Sequence, residues 1–166
     1  MASVNSGGVE IVYDVMNAGG SGAPVFFLAG LNGMRQACMK QAIPFSKERP
    51  VVVHDQRGTG ASGKKLGVYS VHNMAKDVIA IMDHEGIAKA HMVGTSTGGA
   101  IAQVLCIDHR DRVASAAVCC SWMKCDHYFR RQFEMRKRIL LTMGTETLML
   151  QTSTTLNDPK WFTEHY

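Results

Sequence analysis

Between Val9 and Ser121 the pattern of apolar and polar positions changes period several times, and each change marks an element. Residues 9–15, VEIVYDV, read as a strand, followed by the glycine-rich turn NAGGSGAP at 17–24. VFFLAG at 25–30 and PVVVHD at 50–55 are short apolar runs suited to strands covered on both faces. AKAHMVG at 88–94 and VASAAVCCS at 113–121 add two more strands. Helical spacing fills the gaps. A helix is expected from about Met34 to Pro44. Residues 70–86 carry the clearest one: Val71, Met74, Val78, Ile79 and Met82 share a face, Ser70 can cap the start, and Gly86 lies past the end. TGGAIAQVLCIDH at 97–109 is apolar almost all round, which predicts a buried helix. Strand and helix in close alternation imply a mostly parallel sheet with helices on both faces, an α/β class.

After Ser121 the character changes. WMKCDHYFRRQFEMRKRILLTMG reads as a basic, aromatic-rich helix ending near Gly144, and TETLMLQTST as a second helical or extended run leading to NDPKWFTEHY. No further buried strand is visible there. The expected division is an α/β core over 1–121 and a helical segment over 122–166.

Composition narrows the function classes. A chain of 166 residues, 46% hydrophobic and 19% charged, can bury one core and is not a disordered tail. Its net charge of +4 is too small to imply nucleic-acid binding unless concentrated. The densest basic stretch, FRRQFEMRKR at 129–138, reads as a solvated helix face beside Phe129, Phe133, Ile139 and Leu140, so no nucleic-acid partner is expected. Cys38, Cys106, Cys119, Cys120 and Cys125 show neither C-x-x-C nor zinc-like spacing, so reduced thiols and no metal are expected. The opening MASVNSGGVE lacks the basic-then-apolar order of a signal peptide, and no apolar run approaches the ~18 residues of a membrane span. The expected location is the cytoplasm, with no membrane partner.

Gly94-Thr95-Ser96-Thr97-Gly98 satisfies G-x-S-x-G between an apolar strand and a buried helix, the context that motif requires. A side chain on so sharp a turn is forced into the open above the sheet. The helix that follows points its N-terminus at Ser96, which favours negative charge there. The plain alternative is a Gly/Ser/Thr loop that merely joins two elements. Acyl transfer also needs donors for an oxyanion. LAGLNG at 28–33 ends an earlier strand in a glycine-rich turn, so the N–H groups of Leu31 and Thr97 would make the pair; the same glycines also fit a simple turn.

Taken together, FFLAGLNG, VVVHDQRGTGASG, MVGTSTGG and HRDRVASAAV resemble the α/β-hydrolase family. They are similar, in order, to its oxyanion loop, its D-x-R-G-x-G-x-S stretch, its nucleophile elbow and the turn and strand after the elbow helix. Ala29 stands where a histidine is common, Thr95 where a histidine is frequent, and Cys38 where many members carry a tryptophan. The segments after Ser121 resemble the start of a helical cap in the branch holding 3-oxoadipate enol-lactonases and aminoacrylate hydrolases. The resemblance implies Ser96 as catalytic nucleophile, backbone donors at Leu31 and Thr97, a small acyl substrate and no cofactor. It also implies an acid and a histidine after Ser96, in that chain order.

That acid and histidine are not identifiable. Two further strand–helix units of roughly 30 residues each would be needed after the cap, and the chain stops inside it. His127 and His165, with Asp126 or Asp158, follow the elbow, but nothing marks them as a base and acid. The 113–121 strand would also be left as an open apolar edge. The expectation is a C-terminally truncated chain, the first part of a longer hydrolase. A homodimer covering the edge is a second solution, and a non-catalytic scaffold or small-molecule-binding protein with the hydrolase fold is a third. One rival motif is GTGASG at 58–63, which fits the dinucleotide fingerprint G-x-G-x-x-G, but KKLGVY separates it from the next helix, and that fingerprint must open a helix directly.

Overall fold

The computed structural model describes residues 1–65, 67 and 69–165. Leu66 and Val68, both in KKLGVY, and Tyr166, at the end of the cap segment, lie outside the described residues. The chain divides into two units, Met1–Met123 and Lys124–Tyr166.

The first unit is a six-stranded sheet. Its strands are β1 (Ala2–Ser6), β2 (Val9–Met16), β3 (Val25–Leu28), β4 (Val51–His54), β5 (Ala90–Thr95) and β6 (Val113–Cys119). Their spatial order is β1-β2-β4-β3-β5-β6. β4, β3, β5 and β6 run parallel, while β1 and β2 join antiparallel at one edge. The mostly parallel α/β sheet expected from the sequence is therefore present.

β1 is an addition to that expectation. Ala2 to Ser6 pair with Tyr13 to Val9 across the turn Gly7-Gly8, whose φ values of 60° and 82° need glycine. The strand carries only Val4 as a large apolar residue, too weak an alternation to predict one.

Three α-helices flank the sheet: α1 (Met39–Ser46), α2 (Val71–His84) and α3 (Thr97–Asp108). The segment expected as one helix over 34–44 is a 3-10 turn at Arg35–Cys38 running into α1. α1 passes through Pro44, which near the helix end forfeits one backbone hydrogen bond. α2 begins as predicted, with Ser70 Oγ accepting the Asn73 N–H at 3.1 Å.

Alternation along the strands gives the unit two cores. On one face Tyr13, Phe26, Leu28, Val52 and Met92 pack with Val78 and Ile81 of α2 and Ile101 and Leu105 of α3. On the other, Val25, Phe27, Val51 and Val53 pack with Cys38 and Ala42. β6 lies at the end of the sheet and is exposed over most of its length.

The second unit holds α4 (His127–Leu156) and α5 (Pro159–His165). Gly144 interrupts α4 with φ 85° and ψ 178°, so two helices meet where the sequence places the first one's end. Asp126 caps α4 by accepting the Phe129 N–H at 2.8 Å. Among the described residues no helix is long and apolar enough to cross a membrane.

Candidate active site

β5 runs straight into α3 with Ser96 as the single residue between them, at φ 55° and ψ −117°. That backbone region is sparsely populated by non-glycine residues and persists only where the surroundings enforce it. Here they do. Ser96 N–H donates to Cys119 O at 2.9 Å. Ser96 O accepts from Ala100 N–H at 3.1 Å and from Ser121 Oγ at 2.8 Å. The end of β6 thus grips the serine's backbone from both sides and leaves its side chain at the rim.

The flanking glycines are required by contact. A Cβ on Gly94 would lie 2.2 Å from Gly98 O, and one on Gly98 would lie 1.9 Å from Leu28 O. Removing both side chains lets α3 start directly above the strand ends. The first N–H groups of α3, Thr97 among them, have no acceptor within the helix and face the charge-favouring end of its dipole.

The turn after β3 lies against this elbow. A Cβ on Gly30 would sit 3.4 Å from Ser96 Cβ and 3.8 Å from Ser96 Oγ. Asn32 holds a left-handed φ of 61°, and Leu31 between them turns its side chain outward, 57% exposed. Ser96, Leu31 and Thr97, singled out from the sequence as nucleophile and backbone donors, therefore come from adjoining segments of one rim.

The stretch after β4 is scaffolding for that rim. Asp55, buried, accepts from Arg35 N–H and Ala61 N–H, both at 2.8 Å. Ser62 Oγ donates to Asp55 O at 2.7 Å and accepts the Val12 N–H at 2.8 Å. Arg57 Nε donates to Asp77 Oδ2 at 2.8 Å, tying the loop to α2. The glycines of GTGASG shape this loop and open no helix, since α2 begins only at Val71. Gln56 went unnoticed in the sequence. Its side chain is 2% exposed and donates from Nε2 to Ala29 O at 2.8 Å, while its N–H donates to Gly33 O at 2.8 Å. A buried amide inside a polar loop carries no periodic signal.

In the first unit no described histidine is hydrogen-bonded to Ser96. His91 Nδ1 lies 2.8 Å from Ser115 Oγ, His84 Nδ1 lies 2.6 Å from the Tyr13 hydroxyl, and His72 lies 3.9 Å from Asp108. His54 is buried with neither ring nitrogen partnered among the described residues, and burial pushes its pKa below the usual histidine range despite the charges of Asp77 and Asp55. In the second unit Asp158 accepts from Lys160 N–H at 2.8 Å, and His165 bonds Trp161 O at 2.8 Å. Burial raises the Cys38 thiol's pKa, which keeps it protonated. Among the described residues no group of three His, Cys, Asp or Glu side chains is arranged to hold a metal ion.

Comparison with known proteins agrees with this geometry. A family model for the α/β hydrolase fold matches residues 23–157. The putative carbamate hydrolase RutD of Azorhizobium caulinodans is 32% identical over 165 residues, 99% of this chain and 61% of the relative. A thermophilic esterase from Thermogutta terrifontis superposes with a TM-score of 0.84 at 25% identity, covering 99% of this chain and 61% of that one. The enol-lactonase from Burkholderia xenovorans gives a TM-score of 0.87 at 22% identity, over 98% of this chain and 62% of that one, a likeness of fold. The chain spans between 44% and 61% of the length of the curated relatives it matches. With the family model covering most of its length, this chain belongs to the α/β-hydrolase fold family.

Proposed function

We propose that this chain carries the nucleophile of a serine hydrolase acting on a small ester, lactone or activated amide. The backbone of Ser96 carries the reading: a non-glycine residue at φ 55° on a strand-to-helix turn, beside a second glycine-rich turn. Ser96 Oγ attacks the carbonyl carbon, and the oxygen's developing charge is taken by the N–H groups of Leu31 and Thr97. Collapse of the tetrahedral intermediate expels the leaving group and leaves the acyl group on Ser96, from which water removes it. The names of the relatives, a putative carbamate hydrolase and an enol-lactonase, fall in this substrate range.

A serine hydroxyl needs a base to take its proton. No histidine of the first unit is bonded to Ser96, and in this fold the acid and then the histidine follow the serine along the chain. In this reading they belong to a longer protein that includes these residues.

Treatment of the longer protein with a fluorophosphonate probe, followed by peptide mapping, tests the assignment. Mapping matters because Ser115, unlike Ser96, has an imidazole partner among the described residues. We expect an adduct on Ser96 that disappears in Ser96→Ala. An adduct that persists in that variant refutes Ser96. That no described histidine of the first unit is bonded to Ser96 favours a second reading, a small-molecule-binding protein with the hydrolase fold; that reading predicts ligand binding and no adduct.

A further inference from the structure

We infer that Gln56 is a positioning residue that fixes the 29–33 turn against Ser96. The inference rests on the proposed role of Ser96 for its catalytic meaning, and on geometry alone for its structural half. Gln56 touches the turn at both ends. Its side-chain amide donates to Ala29 O, the carbonyl by which the chain leaves β3, and its backbone N–H donates to Gly33 O, where the turn closes. Thr59 Oγ1 lies 3.1 Å from that same Gly33 carbonyl.

The amide also packs flat on the turn. A Cβ on Gly33 would lie 2.4 Å from Gln56 Cδ, so a side chain at Gly33 and this amide cannot coexist. Between the two pinned carbonyls lie only Gly30, Leu31 and Asn32, the stretch that borders Ser96 Oγ.

The physical consequence is preorganisation. A turn of two glycines and a left-handed asparagine has little local preference for one shape. Donors aimed at a developing charge help only if they need not reorganise as the charge appears. Gln56 supplies that fixity from the loop just after β4, a buried strand, through a donor that neither an aliphatic residue nor an ionised carboxylate provides at this position.

Hydrogen exchange on this chain and boronate binding to the longer protein test this. In Gln56→Met, of similar volume and without the side-chain donor, exchange of the residue-56 amide, which donates to Gly33 O, should rise about tenfold as the turn loosens, the order expected for one lost buried hydrogen bond. Exchange over 94–99 should stay as in the parent. Gln56→Glu should match Gln56→Met while its carboxyl is ionised and regain protection as lower pH restores a donor. Unchanged exchange at residue 56 in Gln56→Met, or an equal rise across all strands, overturns the inference.

Phenylboronate, which forms a tetrahedral adduct on an accessible serine, reads the catalytic half. We expect about tenfold weaker binding in Gln56→Met and none in Ser96→Ala. Equal affinity in parent and Gln56→Met removes the catalytic half. No adduct in the parent counts against Ser96 itself, and the exchange measurement still decides whether Gln56 holds the turn.

Discussion

Ser96 combines a hydroxyl side chain with a strained backbone. At φ 55° and ψ −117° a Cβ is a liability, and the hydrogen bonds from Ala100 and Ser121 to its carbonyl and from its own N–H to Cys119 hold it there. Ser96→Gly should therefore stabilise the protein by about 1 kcal/mol, read as a higher urea midpoint at unchanged slope, while removing the phosphonate site. A lower midpoint would show that the turn is not strained. The motif around Ser96 was legible because glycine spacing is a local property. Gln56 was not, because its partners Ala29 and Gly33 lie in a turn that precedes it by more than twenty residues.

Where β4 ends and α2 packs over it, four polar side chains meet: His54, Asp55, Arg57 and Asp77. Arg57 is committed to Asp77, and Asp55 to Arg35 and Ala61, which leaves the imidazole of His54 buried at 2% exposure without a hydrogen bond. The groups that face it are the carboxylates of Asp77 and Asp55, and burial outweighs them, so its folded pKa lies below 6.5. The unfolded chain then takes up a proton near pH 6.5 that the folded chain refuses, and stability falls as pH drops below that value. Urea unfolding across pH 7 to 5 should show this slope in the parent. His54→Leu should flatten it by about 1 kcal/mol per pH unit; an identical slope in both would show that the imidazole titrates normally in the fold.

At the scale of the molecule the decisive feature is the sheet's open side. β6 pairs with β5 through Ala90 to Thr95, and its outer edge has no partner among the described residues. Its side chains are small and uncharged, and Ala114 to Cys119 are exposed. Such an edge templates pairing with another strand. Sedimentation should therefore show this chain self-associating as concentration rises. Ala117→Lys, which places a charge on the edge strand beside Val93, should hold it as single chains. Parent and variant that both sediment as single chains would show that the edge does not associate.

By itself the sequence determined the α/β class, the order of strands and helices from Val9 onward, the break at Gly144 and the serine on its turn. Each of these is written in a short window, as hydrophobic period, glycine spacing or a capping residue. Only the tertiary structure decided the rest. It added β1, whose weak pattern is stabilised by pairing with β2. It placed the turn at Gly30 beside Ser96 and assigned Gln56 to that turn. It also set His54 unpartnered beneath α2. These are relations between segments far apart along the chain, and they exist only once the sheet has brought the segments together.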